Sequence, residues 1–233
     1  MEGYNLGYSA GYIFVIIGFV ITMGAQLLVK SSYSKYKKIT NSSKSKGCDV
    51  ARKILDANGL KNIKIEQVSG ELSDHYDPTS KVVRLSTDIY GGTSVASMAV
   101  AAHECGHAIQ DKENYKFLRI RSSIVPMVNL CDRIGYIVIM LGLVLGYFNL
   151  AMIGLILLGA VLFFQLITLP VEFNASSRAK KQIDILNLGD KKTETGISKM
   201  LTAAALTYVA SVISTVFQLL RMLLMILGNR RKN

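Results

Sequence analysis

Apolar positions in this chain gather into long runs separated by stretches of mixed polarity. Residues 6–29 carry no Lys, Arg, Asp or Glu. At about 1.5 Å per residue such a run crosses a bilayer as a helix, and residues 1–30 read as an N-terminal anchor. Residues 124–169 hold a second apolar region. Its segments 134–147 and 150–169, joined at Asn149, predict a transmembrane hairpin whose first helix extends back through Asp132 and Arg133. Gly142 and Gly146 are candidates for close helix packing. The last helix, about 198–227, starts Ala-rich and ends apolar around Arg221. Three preceding spans place it on the inner side, and a complete fourth would leave Arg230, Arg231 and Lys232 outside. Residues 201–233 are therefore expected to be partly membrane-associated.

Between these runs the pattern changes period. Residues 31–46 are a polar, basic linker. Val50, Ile54 and Leu55 give helical spacing over 48–58, and Asn58-Gly59 ends it. Ile63 and Ile65 alternate with lysine as in a strand, residues 74–80 are dense in turn formers, and 81–85 read as another strand. A hairpin or small meander is expected. After Gly91-Gly92, Thr93 or Ser94 caps a helix running to about Asp111. Residues 170–200 are polar and helical as far as Asn187, then broken by Leu188-Gly189-Asp190. The fold class is α+β and mostly helical: a soluble part over 31–123 and 170–200, divided by the hairpin at 124–169.

The chain has 233 residues, 50% of them hydrophobic, and a net charge of +11; its mean hydropathy is +0.33. The charge is not laid out for nucleic acid, because no Gly-rich phosphate loop or aromatic–basic interleaving accompanies it. Lys30, Lys35, Lys37, Lys38, Lys44 and Lys46 crowd behind the first apolar run, and Arg178, Lys180, Lys181 and Lys191 repeat the bias. Basic residues flanking spans mark the cytoplasmic side of a cell membrane and attract anionic headgroups. The lipid bilayer is the partner this implies, with the soluble part facing the cytoplasm. Cys48, Cys105 and Cys131 are too widely spaced for a disulfide framework or a thiolate site and read as packing residues.

His103-Glu104-Cys105-Gly106-His107 matches HExxH. Four residues are slightly more than one helical turn, so both imidazoles project from one face and can share a Zn2+ ion. Glu104 is then placed to act as general base toward an attacking water. Zinc in a catalytic site takes a third protein ligand. Glu113 stands where a longer form of the motif puts its last ligand, but Gln110 occupies the place where that form turns on glycine. Glu172, just after Pro170 and returned to the same side by the hairpin, is the better candidate, with Ser176 and Asn174 near enough to orient a ligand. The competing reading of Glu172 is charge complementarity at the start of a helix. Asp184 and Glu194 rank lower.

Residues 100–110, 169–176, 74–78 and 204–210 together resemble the YugP-type neutral zinc metallopeptidases of bacteria, and the resemblance runs over essentially the whole chain. It implies an integral-membrane, zincin-like (gluzincin) peptidase that uses Zn2+, holds it with His103, His107 and Glu172, and acts on protein or peptide substrates. The chain is more distantly similar to the HtpX-type and CAAX-processing membrane proteases, which commonly carry an Asp where Ser176 stands here. Candidates for stabilising the oxyanion of peptide hydrolysis are Tyr208, His75 and Arg178. The strand 81–85, if exposed, could bind an extended peptide edge to edge. The rival reading is a membrane scaffold in which zinc only joins two helices.

Overall fold

The computed structural model describes residues 2–230, with side chains from Gly11 to Asn229. The elements are α1 (Glu2–Lys37), α2 (Gly47–Ala57), β1 (Lys64–Val68), β2 (His75–Asp77), β3 (Val82–Ser86), α3 (Thr87–Tyr90), α4 (Val95–Lys112), α5 (Lys116–Val144), α6 (Phe148–Ile185) and α7 (Lys191–Arg230). They divide into two compact units, one built from residues 27–119 and 170–205, the other from the remaining stretches.

The apolar unit takes the first part of α1, most of α5, α6 as far as Leu169, and the second half of α7. Among the described residues four helices, α1, α5, α6 and α7, are long and apolar enough to cross a membrane. Within this unit α5 and α6 approach backbone to backbone: a Cβ on Gly142 would lie 2.4 Å from the Ala151 nitrogen. Gly146 has a different use from the packing expected of it. It ends α5 with φ +73, a left-handed conformation that glycine adopts without steric cost. In the same unit α1 lies against α7, where Phe14 stacks on Phe217 at 5.6 Å and Arg221 covers the Tyr12 ring.

The second unit has a conventional core. Ile54 and Leu55 of α2, Leu85 of β3, Ile183 of α6 and Ile197 of α7 are all buried around α4. The expected helix at 48–58 appears as α2, ending at Asn58 with Gly59 at φ +69. Ser94 is the cap of α4, its hydroxyl accepting the Ser97 N–H at 3.0 Å. The break before α7 appears too: Asn187 turns at φ +47, and Asp190 accepts the Thr193 N–H at 2.8 Å.

Three expectations need correction. The sheet is not a meander: its order is β1-β3-β2, with β1 parallel and β2 antiparallel to β3. The strand at 81–85 is thus central and has no free edge for a peptide; β2 takes an edge instead. β2 was hidden because Asp77 is read as a turn former. It is one, accepting the Thr79 and Ser80 N–H groups, yet it also closes a three-residue strand. The third correction concerns Glu172. No new helix starts after Pro170; α6 runs through it. The missing proline N–H removes a bond that the Leu166 carbonyl would accept, which a long packed helix tolerates. Glu172 therefore sits in mid-helix, where complementarity with a helix N-terminus does not account for it.

Candidate metal centre

The site is assembled where α4 meets residues 170–185 of α6, in the same compact unit. The centre of α4 is lined with small residues, and Ala96, Ala99, Ala101, Ala102 and Gly106 are all buried. Gly106 is decisive, since a Cβ there would come within 2.5 Å of the Ala175 carbonyl oxygen. The two backbones touch at that point, one turn from Glu172 on α6 and within the HExxH motif on α4.

This contact brings three ligand atoms to one place. His103 Nε2 lies 3.2 Å and His107 Nε2 3.7 Å from the same oxygen, Glu172 Oε2. The two rings are nearly perpendicular, with centroids 4.8 Å apart. Among the described residues this trio is the group of His, Cys, Asp or Glu side chains able to hold a metal ion, all its ligand atoms lying within 4.8 Å of one another. A tetrahedral zinc with bonds near 2.0–2.1 Å separates its ligands by about 3.3 Å, close to the two spacings from Glu172 Oε2 to the histidine nitrogens. Glu172 is 3% exposed. Burial alone would raise its pKa, but the hydrogen bond to His103 and the two histidines facing it overcome this and hold the carboxyl well below the usual range. A carboxylate is the form a metal ligand needs.

Glu104 neighbours this cluster without joining it. It is 8% exposed, and burial pushes its pKa up to about 7, with the Glu172 and Asp74 charges adding to the rise and His103 opposing it. The Tyr76 backbone N–H supports the charged form, which sets β2 beside the carboxyl. Tyr76 is anchored there by its hydroxyl, which donates to Asp111 of α4 at 2.6 Å. Asp74 ties the approach to β2 onto the end of β3 by accepting the Ser86 N–H at 2.7 Å.

The remaining candidates fall into place around the ligands or away from them. Ser176 Oγ is 3.2 Å from His103 Nδ1. Asn174 acts one step further out, through Gln110, whose amide bridges His107 Nδ1 and Asn174 Oδ1 at 3.0 Å each. Gln110 is fully buried; sequence reasoning took it only as the residue that excludes a glycine turn. Its position at i+3 from His107 was the available signal. Glu113 is turned outward to Arg178, 2.7 Å away, whose guanidinium holds its carboxyl below the usual range. Arg178 also donates to Asn174 at 2.7 Å. His75 is exposed, its Nδ1 on the Ser73 carbonyl at 2.8 Å. Tyr208 is half-buried on α7 in the apolar unit. Cys105 packs inward, its thiol pKa raised by burial.

Residues 11–227 match the family described as "putative neutral zinc metallopeptidase". The chain is 46% identical over 223 residues, 95% of its own length and 99% of the other's, to the "putative membrane protease YugP" of Bacillus subtilis (strain 168). No solved structure matches it. Because the match spans both the HExxH helix and the distant glutamate that the fold returns to it, the chain belongs to this zinc metallopeptidase family.

Proposed function

We propose that the protein is an integral-membrane zinc endopeptidase that hydrolyses peptide bonds of protein substrates at the cytoplasmic membrane face. The observation that carries this reading is the convergence of His103 Nε2, His107 Nε2 and Glu172 Oε2 beside a buried Glu104 of raised pKa. His103, His107 and Glu172 hold the metal. When bound, zinc supplies Lewis acidity, polarising a carbonyl and making water easier to deprotonate. Glu104, poised near neutrality, accepts a proton from the attacking water on its carboxylate and returns it to the leaving amine. A group with a pKa close to the working pH serves both steps, where an ordinary carboxyl would be a poor acid. β2, the edge strand whose Tyr76 N–H meets Glu104, replaces the strand at 81–85 as the place for an extended peptide. His75, Arg178 and Tyr208 remain the candidates for the oxyanion; of these, Arg178 is already committed to Asn174 and Glu113.

Membrane topology supports the placement. If α1, α5 and α6 all cross, parity puts 38–115 and 186–190 on one side, so the end of α6 beyond Glu172 emerges on the side that holds α4. The basic residues after the first run and around 178–192 belong to that side, as the distribution of charge at a cytoplasmic face requires.

The test uses the purified full chain in detergent or nanodiscs. Wild type should bind about one zinc and cleave casein or a membrane-protein substrate. Glu104→Gln should keep the metal and lose cleavage by on the order of 100-fold or more. Cleavage unaffected in Glu104→Gln overturns the mechanism, and zinc binding without any cleavage by wild type favours the scaffold reading.

A further inference from the structure

Gln110 makes three hydrogen bonds from a site with no solvent exposure, and their polarity can be worked out from one end. The Val171 carbonyl can only accept, so the group 2.8 Å from it is the Gln110 amide NH2. The same NH2 faces Asn174 Oδ1 at 3.0 Å. That oxygen is independently fixed as an acceptor by Arg178 Nε, a donor only, at 2.7 Å. Gln110 Oε1 must therefore be the atom that meets His107 Nδ1 at 3.0 Å, and an amide oxygen can only accept. It follows that His107 carries a proton on Nδ1, so its neutral ring presents a bare Nε2 toward Glu172 and His103. On His103 the Nδ1 partner, the Ser176 hydroxyl, can donate or accept and so fixes no tautomer from that side.

We propose that Gln110 is a positioning residue that locks the His107 tautomer and, through Val171 and Asn174, ties that ring to the helix bearing Glu172. The inference rests on the metal reading above and adds a division of labour to it. One histidine is preset from its Nδ1 side before any ion arrives, and the Nδ1 partner of the other accommodates either tautomer. An orienting partner of this kind typically changes metal affinity by about 10–100-fold.

The experiment has two parts, both on the full chain in nanodiscs. First, 15N spectra of metal-free wild type labelled at histidine are recorded at a pH alkaline enough for neutral imidazoles. The expected result is His107 protonated at Nδ1; an Nε2-protonated ring overturns the proposal without needing any variant. Second, zinc affinity is measured by chelator competition for wild type and Gln110→Met, a substitution that keeps length and apolar bulk while removing both amide functions. Affinity should fall about 10–100-fold, with the His107 spectrum changing tautomer. Wild-type affinity in Gln110→Met overturns the proposal. Failure of wild type itself to bind zinc would instead refute the metal reading, so the two failures are distinguishable.

Discussion

Gly106→Ala tests the geometry that makes the site possible. The added methyl would sit 2.5 Å from the Ala175 carbonyl oxygen, 3.1 Å from its carbon and 3.2 Å from its Cα, whereas ordinary contact begins at 3.4 Å. All three neighbours are backbone, so no rotamer change relieves the clash. The helices must part by about 0.9 Å locally, or slide. Overpacking of this sort costs about 1–3 kcal/mol, which for a chain of this size lowers Tm by roughly 2–10 °C. The consequence for the metal is sharper. Ligand distances are tolerated only within about 0.2 Å, and Glu172 lies one turn from Ala175 on the helix that has to move. Zinc affinity should therefore fall by at least about tenfold. Scanning calorimetry of chelated protein measures the first effect and competition titration the second. Gly24→Ala is the control, because a methyl there meets nothing within 4 Å. Wild-type zinc affinity and wild-type Tm in Gly106→Ala would refute the reasoning, since they require the backbones to be further apart than they are here.

The other predictions concern charge and metal. Glu172→Ala removes the ligand that both histidines face, and elemental analysis should find zinc substoichiometric; full retention would reject Glu172 as a ligand. Glu104 gives a pH signature in the metal-free protein. Its folded pKa of about 7 exceeds the ordinary 4.5, so the folded state holds a proton that the unfolded state releases. The group's penalty grows as pH rises from about 4.5 and is complete above 7, reaching at most about 3 kcal/mol. Chelated Glu104→Gln should accordingly be more stable than wild type at pH 8 and equal to it at pH 4; equal stability at both would contradict the burial. Finally, chelation should lower Tm without unfolding the protein, because the core of α2, β3, α4, α6 and α7 is buried without help from the ligands. Loss of far-UV helicity on chelation would show otherwise.

Much of this was legible from local patterns. The HExxH spacing, the capping Ser94, the Asn58-Gly59 stop and the break at 187–190 each depend on neighbours within a turn, and each appears where the sequence put it. What escaped depends on distant partners. A three-residue strand has no alternation to read, and β2 exists because β3 pairs with it. The parallel β1–β3 pairing is a matter of crossover, which composition does not encode. Pro170 signals a helix start to its neighbours, yet α6 persists because the elements around it hold the helix together. Gln110 was overlooked for the same reason: its partners Val171 and Asn174 are 61 and 64 residues away.

The site's dependence on α4 suggests why its centre is built from alanine and glycine. A helix that must present two histidines to one helix, the Glu104 carboxyl to a strand edge and an apolar flank to α2 needs neighbours close on several sides. Large side chains would hold those neighbours about 8–10 Å from its axis. Small residues give up the apolar area that ordinarily anchors a central helix, and the anchoring is transferred outward: Ile54, Leu55, Leu85, Ile183 and Ile197 supply the bulk that α4 lacks. The positions of His103 and His107 are then set by backbone contact at Gly106 and by hydrogen bonds from Gln110 and Ser176, none of which can shift without breaking. An error of a methyl group among those outer residues is absorbed by repacking; the same error at Gly106 moves Glu172 relative to the two histidines.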